Sequence, residues 1–222
     1  MIAEIIHQIN NELPSGVRLV AVSKFHPTEA IKEAYQAGQR IFGESRMQEL
    51  VKKHEDLPKD IEWHFIGHLQ TNKVRYIVPF ISLIESIDSP RLLKEVNKQA
   101  AEAGRTVNVL LQLHIAQEET KFGFDFEECR TYLAEGSWRE LNNVRICGLM
   151  GMASNTDCME QVKQEFASLH TFFKEVKETF FVGKDYFQEI SMGMSHDYPL
   201  AIEQGSTLIR VGSKIFGERN YH

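Results

Sequence analysis

Lys24 ends the run VAVSK, directly after apolar residues, where a solvated lysine is poorly placed. One reading is a chain leaving the core, its aliphatic stem covered and its ammonium reaching back to water. The other is a desolvated amine of lowered pKa that attacks a carbonyl carbon. Imine formation needs the uncharged amine, so partial burial would serve that chemistry. A second cluster lies in IRVGSKIFGER (209–219). Gly212 lets the backbone approach an anion, Ser213 offers a hydroxyl, and the amides of a following helical turn point the same way. SMGMS (191–195) repeats the glycine-and-serine theme and ends on Ser195. Each loop alone also reads as an ordinary turn. With Lys24 they make a set: one carbonyl-seeking amine and two anion-binding loops.

A lysine imine beside a phosphate cup is the chemistry of pyridoxal 5′-phosphate (PLP). Arg210, inside an apolar run, then has two readings. It pairs with an inward carboxylate, Glu44 or Glu85, or it donates to the pyridine nitrogen, which it cannot protonate. His64 and His68 are four apart but flank a strand end, and no cysteine or carboxylate spacing completes a zinc-like set. No metal is expected. Ser23, Glu44, Ser45, Ser154 and Ser191 are further polar residues at the ends of apolar runs. A cofactor-free Schiff-base aldolase acting on a phosphorylated sugar remains an alternative for the same lysine.

These residues need a scaffold that gathers strand ends. Short apolar, β-branched runs occur at 17–23, 40–44, 61–67, 80–87, 107–115, 144–152, 187–193 and 207–212. Several are nearly continuous in apolar residues, as strands buried on both faces of a parallel sheet should be. Amphipathic segments at 27–38, 89–104 and 159–180 read as helices between them. Pro27 and Pro90 suit first-turn positions, with Ser89 as N-cap; Gly38 and Gly104 suit left-handed C-caps. Eight β/α units predict an α/β fold, a single-domain (β/α)8 TIM barrel over residues 1–222, with an open doubly wound sheet as the rival. Its active face would be the C-terminal ends of the strands.

Composition narrows the partners. The 222 residues carry 25 Lys and Arg against 31 Asp and Glu, a net charge of −6. That field disfavours nucleic acid and anionic membrane surfaces but permits a local phosphate pocket. Cys129, Cys147 and Cys158 are an odd number without Cys-x-x-Cys spacing, which suits a reducing compartment. No basic, apolar leader and no run near ~18 apolar residues is visible, so a cytoplasmic protein is expected.

The stretches VAVSK, FGESRMQE, WHFIGHLQTNK, KFGF, GLMGMAS and SMGMSHDYPLAIEQGSTLIRVGSKIFGER, in this order, resemble the YggS/PROSC family of pyridoxal phosphate homeostasis proteins. The resemblance implies a barrel like the N-terminal domain of alanine racemase, with Lys24 holding PLP as a Schiff base. It further implies Ser195, Gly212 and Ser213 at the phosphate and Arg210 near the pyridine nitrogen. It implies a role in vitamin B6 homeostasis and amino-acid and keto-acid balance, without strong catalysis, with PLP-dependent apo-enzymes as partners and a monomeric barrel. Ser45 stands where the family commonly has asparagine, and a hydroxyl is too short to make an amide's contacts. An amino-acid racemase is the enzymatic alternative. It would need a second base, a tyrosine from an additional β domain, which is not expected here because the sequence ends ten residues after Gly212.

Overall fold

The computed structural model describes residues 1–117 and 122–217. Eight strands form in the eight apolar runs: β1 (Arg18–Val22), β2 (Ile41–Glu44), β3 (Glu62–Phe65), β4 (Leu83–Ile87), β5 (Val107–His114), β6 (Val144–Met152), β7 (Glu189–Ser191) and β8 (Leu208–Val211). They pair in sequence order, all parallel, into a closed barrel. Closure is made by β1 and β8, in register from Arg18 opposite Leu208 to Ala21 opposite Val211. That pairing rules out the open sheet.

The helices are α1 (Ile2–Glu12), α2 (Thr28–Gln36), α3 (Met47–Asp56), α4 (Val74–Ile77), α5 (Pro90–Glu102), α6 (Phe126–Glu135), α7 (Met159–Phe180), α8 (Tyr198–Glu203) and α9 (Ser213–Phe216). In α5, Ser89 Oγ accepts from the Leu92 amide at 3.3 Å, and Pro90 takes the first helical position. Pro27 is displaced by one: it is the N-cap of α2, with extended ψ, not its first helical residue. Gly38 and Gly104 adopt positive φ just beyond their helices, as the left-handed stop requires. The apolar run at 80–87 becomes strand only from Leu83, because the Phe80 and Ile81 amides still bond to Ile77 O and finish the turn of α4.

The main core lies between barrel and helices. In α7 the buried residues Val162, Phe166, Leu169, Phe173 and Val176 recur at helical spacing and face the sheet. A second, smaller apolar cluster (Val20, Ile41, Leu83, Leu110, Cys147, Met150, Leu208) comes from alternate strand positions and fills the barrel. Two residues further along β4 and β8 stand buried Glu85 and Arg210, and β3 and β7 add buried His64 and Ser191. The barrel interior thus changes from apolar to polar toward the ends where a ligand would enter. Among the described residues, no helix is long and apolar enough to cross a membrane.

Candidate functional site at the C-terminal mouth of the barrel

β1 ends at Val22, Ser23 is fully buried, and Lys24 follows, half-buried in a turn. Its neighbours across the closure are the residues after β8. Those loops touch: a Cβ added to Gly212 would stand 3.1 Å from Val22 O and 3.2 Å from Val22 Cβ. His26 stacks on Phe216 of α9, with ring centroids 5.1 Å apart. Gly212 thus packs closely against β1, where a side chain would crowd Val22.

The loop after β7 joins them. The Gly212 amide donates to Ser195 Oγ at 3.2 Å, and Ser213 is the next residue. Two internal bonds hold this loop. Gly193 O accepts from the Arg210 amide at 2.9 Å, and Asp197 Oδ1 accepts from the Met194 amide at 2.5 Å. Gly193 has φ +96°, and a Cβ there would lie 2.6 Å from Ala201 Cβ, so both conformation and space demand glycine. A cavity of about 260 Å³ opens beside Met194, lined also by Gln112, His114, Phe122 and Asn155.

Below the loops, Arg210 points into the barrel. Its Nη1 donates to Ser191 Oγ at 2.5 Å and its Nη2 to Gly151 O at 3.0 Å. Ser191 Oγ in turn donates to Glu85 Oε2 at 2.5 Å, and the guanidinium lies 3.9 Å from that carboxylate. His64 Nδ1 is 2.6 Å from Glu85 Oε1. Of the two carboxylates the sequence offered to Arg210, the structure selects Glu85. Burial opposes the charged form of Glu85, but His64, Arg210 and Ser191 outweigh it and hold the carboxyl below its ordinary pKa. Burial lowers Arg210 in the opposite sense, resisted by Glu85 and Asp197. Two bonds and the nearby Glu85 carboxylate thus hold the guanidinium in place inside the barrel.

Glu44 belongs to a different network. Its Oε1 accepts from Ser23 Oγ at 2.6 Å and from Lys53 Nζ at 2.7 Å, while its buried Oε2 has no partner. Burial pushes Glu44 up to about 7, against the pull of Lys53. The folded chain therefore binds this proton more tightly than the unfolded one. Glu44 favours folding fully below its ordinary value of 4.5, and this contribution is lost as pH rises to about 7. The stability difference between the wild type and Glu44→Gln should thus fall by up to ~3 kcal/mol between pH 4.5 and 7.5. Denaturant titration at both pH values checks this; a flat difference would mean Glu44 is ionised throughout.

The other candidates scatter. His68 leaves the barrel and pairs with Asp88 at 2.9 Å, its ring 4.6 Å from that of Phe122 and tilted by 38° to it. Ser154 bonds through its amide and hydroxyl to Glu165 of α7, both at 2.7 Å. Ser45, at the end of β2, is pressed by Gly67, where a Cβ would lie 2.5 Å from Ser45 O. Lys121 of KFGF and Glu218 and Arg219 of the final motif lie outside the described residues. Sequence reasoning missed Lys53, whose one signal was its i,i+4 spacing from Glu49 in MQELVKK.

An amine, hydroxyl and amide donors, and a buried guanidinium gathered at one barrel mouth suit a ligand bearing both an anion and a carbonyl. Comparison with known proteins agrees in family. Residues 2–220 match the model of the alanine racemase N-terminal domain. The pyridoxal phosphate homeostasis protein of Aquifex aeolicus is 40% identical over 205 residues, covering 92% of this chain and 88% of that one. The chain belongs to the pyridoxal phosphate homeostasis protein family. The human member is 37% identical over 214 residues, covering 92% of this chain and 77% of its own. PipY of Synechococcus elongatus, a structure with PLP bound, superposes with a TM-score of 0.88 at 39% identity, covering 98% of this chain and all of PipY. Alanine racemase of Clostridium difficile shares the fold alone: TM-score 0.77 at 14% identity, over 99% of this chain and 56% of the racemase. Family membership and barrel closure thus agree on one architecture.

Proposed function

We propose that this chain binds PLP through Lys24 and serves intracellular PLP homeostasis, and with it amino-acid and keto-acid balance, as a carrier and not as a strong catalyst. The observation that carries the reading is the meeting of Ser195, Gly212 and Ser213 one strand away from Lys24. The hydroxyls of Ser195 and Ser213 fit the cofactor's phosphate as donors, beside the glycine whose missing Cβ leaves room against Val22. Lys214, hydrogen-bonded to Tyr198 Oη at 2.7 Å, adds a nearby positive charge. Arg210, fixed by Ser191 and Glu85, fits the pyridine nitrogen as a donor that keeps its own proton. When bound, PLP supplies an aldehyde that captures amines and a ring that withdraws electrons. Lys24 would hold that aldehyde carbon, and the loops would orient the rest.

The names of the relatives support the carrier reading, as does an arginine rather than a carboxylate for the ring nitrogen. PLP-dependent apo-enzymes are the recipients such a carrier would serve. We read residues 1–222 as one cofactor-binding barrel, monomeric and cytoplasmic, with Cys129, Cys147 and Cys158 unpaired.

Two titrations test this. Pyridoxal, lacking the phosphate, should bind roughly 10- to 150-fold more weakly than PLP, since each hydrogen bond to a charged oxygen is worth ~1.5–3 kcal/mol. Equal affinity would remove the phosphate cup from the account. Conversion of L- to D-alanine at rates of order 1 s⁻¹, within the usual enzyme range, would favour the racemase instead.

A further inference from the structure

The turn that presents Lys24 is held from outside the barrel by one pair of charged residues. Lys53 Nζ donates to Ser23 O at 2.8 Å, the carbonyl just before Lys24. The Phe25 amide, just after Lys24, donates to Glu49 Oε1 at 2.7 Å. Lys53 and Glu49 sit one turn apart on α3 and are bonded to each other at 2.6 Å. Lys53 also reaches Glu44 Oε1, so all three of its ammonium protons are used: on Ser23, on Glu49 and on Glu44. Its side chain is 6% exposed. Burying an ammonium is costly unless every donor is satisfied, and this one is satisfied by the backbone it fixes.

The fixed segment is strained. Phe25 has φ +68°, the one non-glycine residue in the left-handed region among those described. A bulky residue holds such a conformation only where its surroundings over-determine it. Here both flanking peptide groups are tied down, and the direction in which residue 24 leaves β1 follows from that.

We propose that Lys53 and Glu49 are positioning residues for the Lys24 amine, acting as a clamp on the two peptide groups that flank it. The proposal rests on Lys24 being the attachment point. Neither residue need touch the ligand. Their effect is to fix where the amine stands, and misplacing a reacting group by about 1 Å can cost on the order of 100-fold in rate.

The test compares the rate of PLP attachment, followed by absorbance, in the wild type, Lys53→Met and Glu49→Ala, with thermal melting of each. Glu49→Ala removes the acceptor of the Phe25 amide and one of the three acceptors of Lys53, from a side chain that is 21% exposed, and so guards against a misfolded Lys53→Met protein. Leu133→Ala, in the buried face of α6, is the control for loss of stability without change at the turn. Attachment should slow about 10- to 100-fold in the two clamp variants while they remain folded, and stay near the wild-type rate in Leu133→Ala. Wild-type rates in both clamp variants, or equal slowing in Leu133→Ala at matched stability, would overturn the clamp while leaving the attachment point standing. Attachment of the wild type at another lysine would overturn both.

Discussion

Lys24→Ala should abolish covalent capture of PLP and leave the barrel folded. Mixed with PLP, the variant should show only the absorbance of free or loosely held cofactor, with nothing fixed by borohydride. Lys24 lies beyond the last residue of β1, half-buried in a turn, so removing its side chain empties no part of either apolar cluster. The cost in stability should stay within ~1 kcal/mol. The loops after β7 and β8 are untouched, since the bond from the Gly212 amide to Ser195 Oγ does not involve residue 24. Residual non-covalent binding should therefore survive, with the preference for PLP over pyridoxal intact. Retention of the fixed cofactor in this variant would move the attachment point elsewhere.

Glu85→Ala should show the largest loss of stability among the polar residues of the barrel. Glu85 is wholly buried and is the acceptor for Ser191 and the counter-charge of Arg210, with His64 on its other oxygen. Removing it strands a guanidinium in the interior, which costs ~3–5 kcal/mol where a buried pair is broken. For a chain of this length that is a fall in Tm of roughly 6–20 °C. The double variant Glu85→Leu with Arg210→Met should recover much of the loss, because neither charge then remains to be desolvated. Because the carboxyl is held below its ordinary value, its contribution is present at neutral pH and fades in acid as pH falls through that lowered value. A Glu85→Ala protein within ~1 kcal/mol of the wild type would show that water or another group already serves Arg210.

The scaffold was legible in the sequence because its signals are local and repeated. Buried parallel strands read as apolar runs, and every one of the eight runs became a strand. Caps such as Ser89–Pro90 and Gly104 announce helix ends through chemistry within four residues of the chain. Pro27 was placed one position off because a proline suits the N-cap as well as the first turn. The loops carrying Ser195, Gly212 and Ser213 were legible as neighbours because a closed barrel brings the ends of β7 and β8 together. What stayed hidden were partnerships across the barrel. Glu85 and Ser191 lie 106 residues apart in sequence, and nothing local tells whether Arg210 prefers Glu85 or Glu44. Lys53 carries no local signal beyond its spacing from Glu49; only the tertiary structure buries it against Ser23 and Glu44. The left-handed turn at Phe25 was also unreadable: the His26 amide closes it on Ser23 O and Glu49 of α3 holds it, but phenylalanine does not announce such a turn.

The central claim is that one amine, that of Lys24, captures the aldehyde of PLP. Borohydride reduction of the wild-type protein saturated with PLP, followed by digestion and mass mapping, reads this directly. One dominant adduct is expected, on Lys24 in the peptide containing VAVSK. An adduct found mainly on Lys73 or Lys214, with Lys24 unmodified, would contradict it.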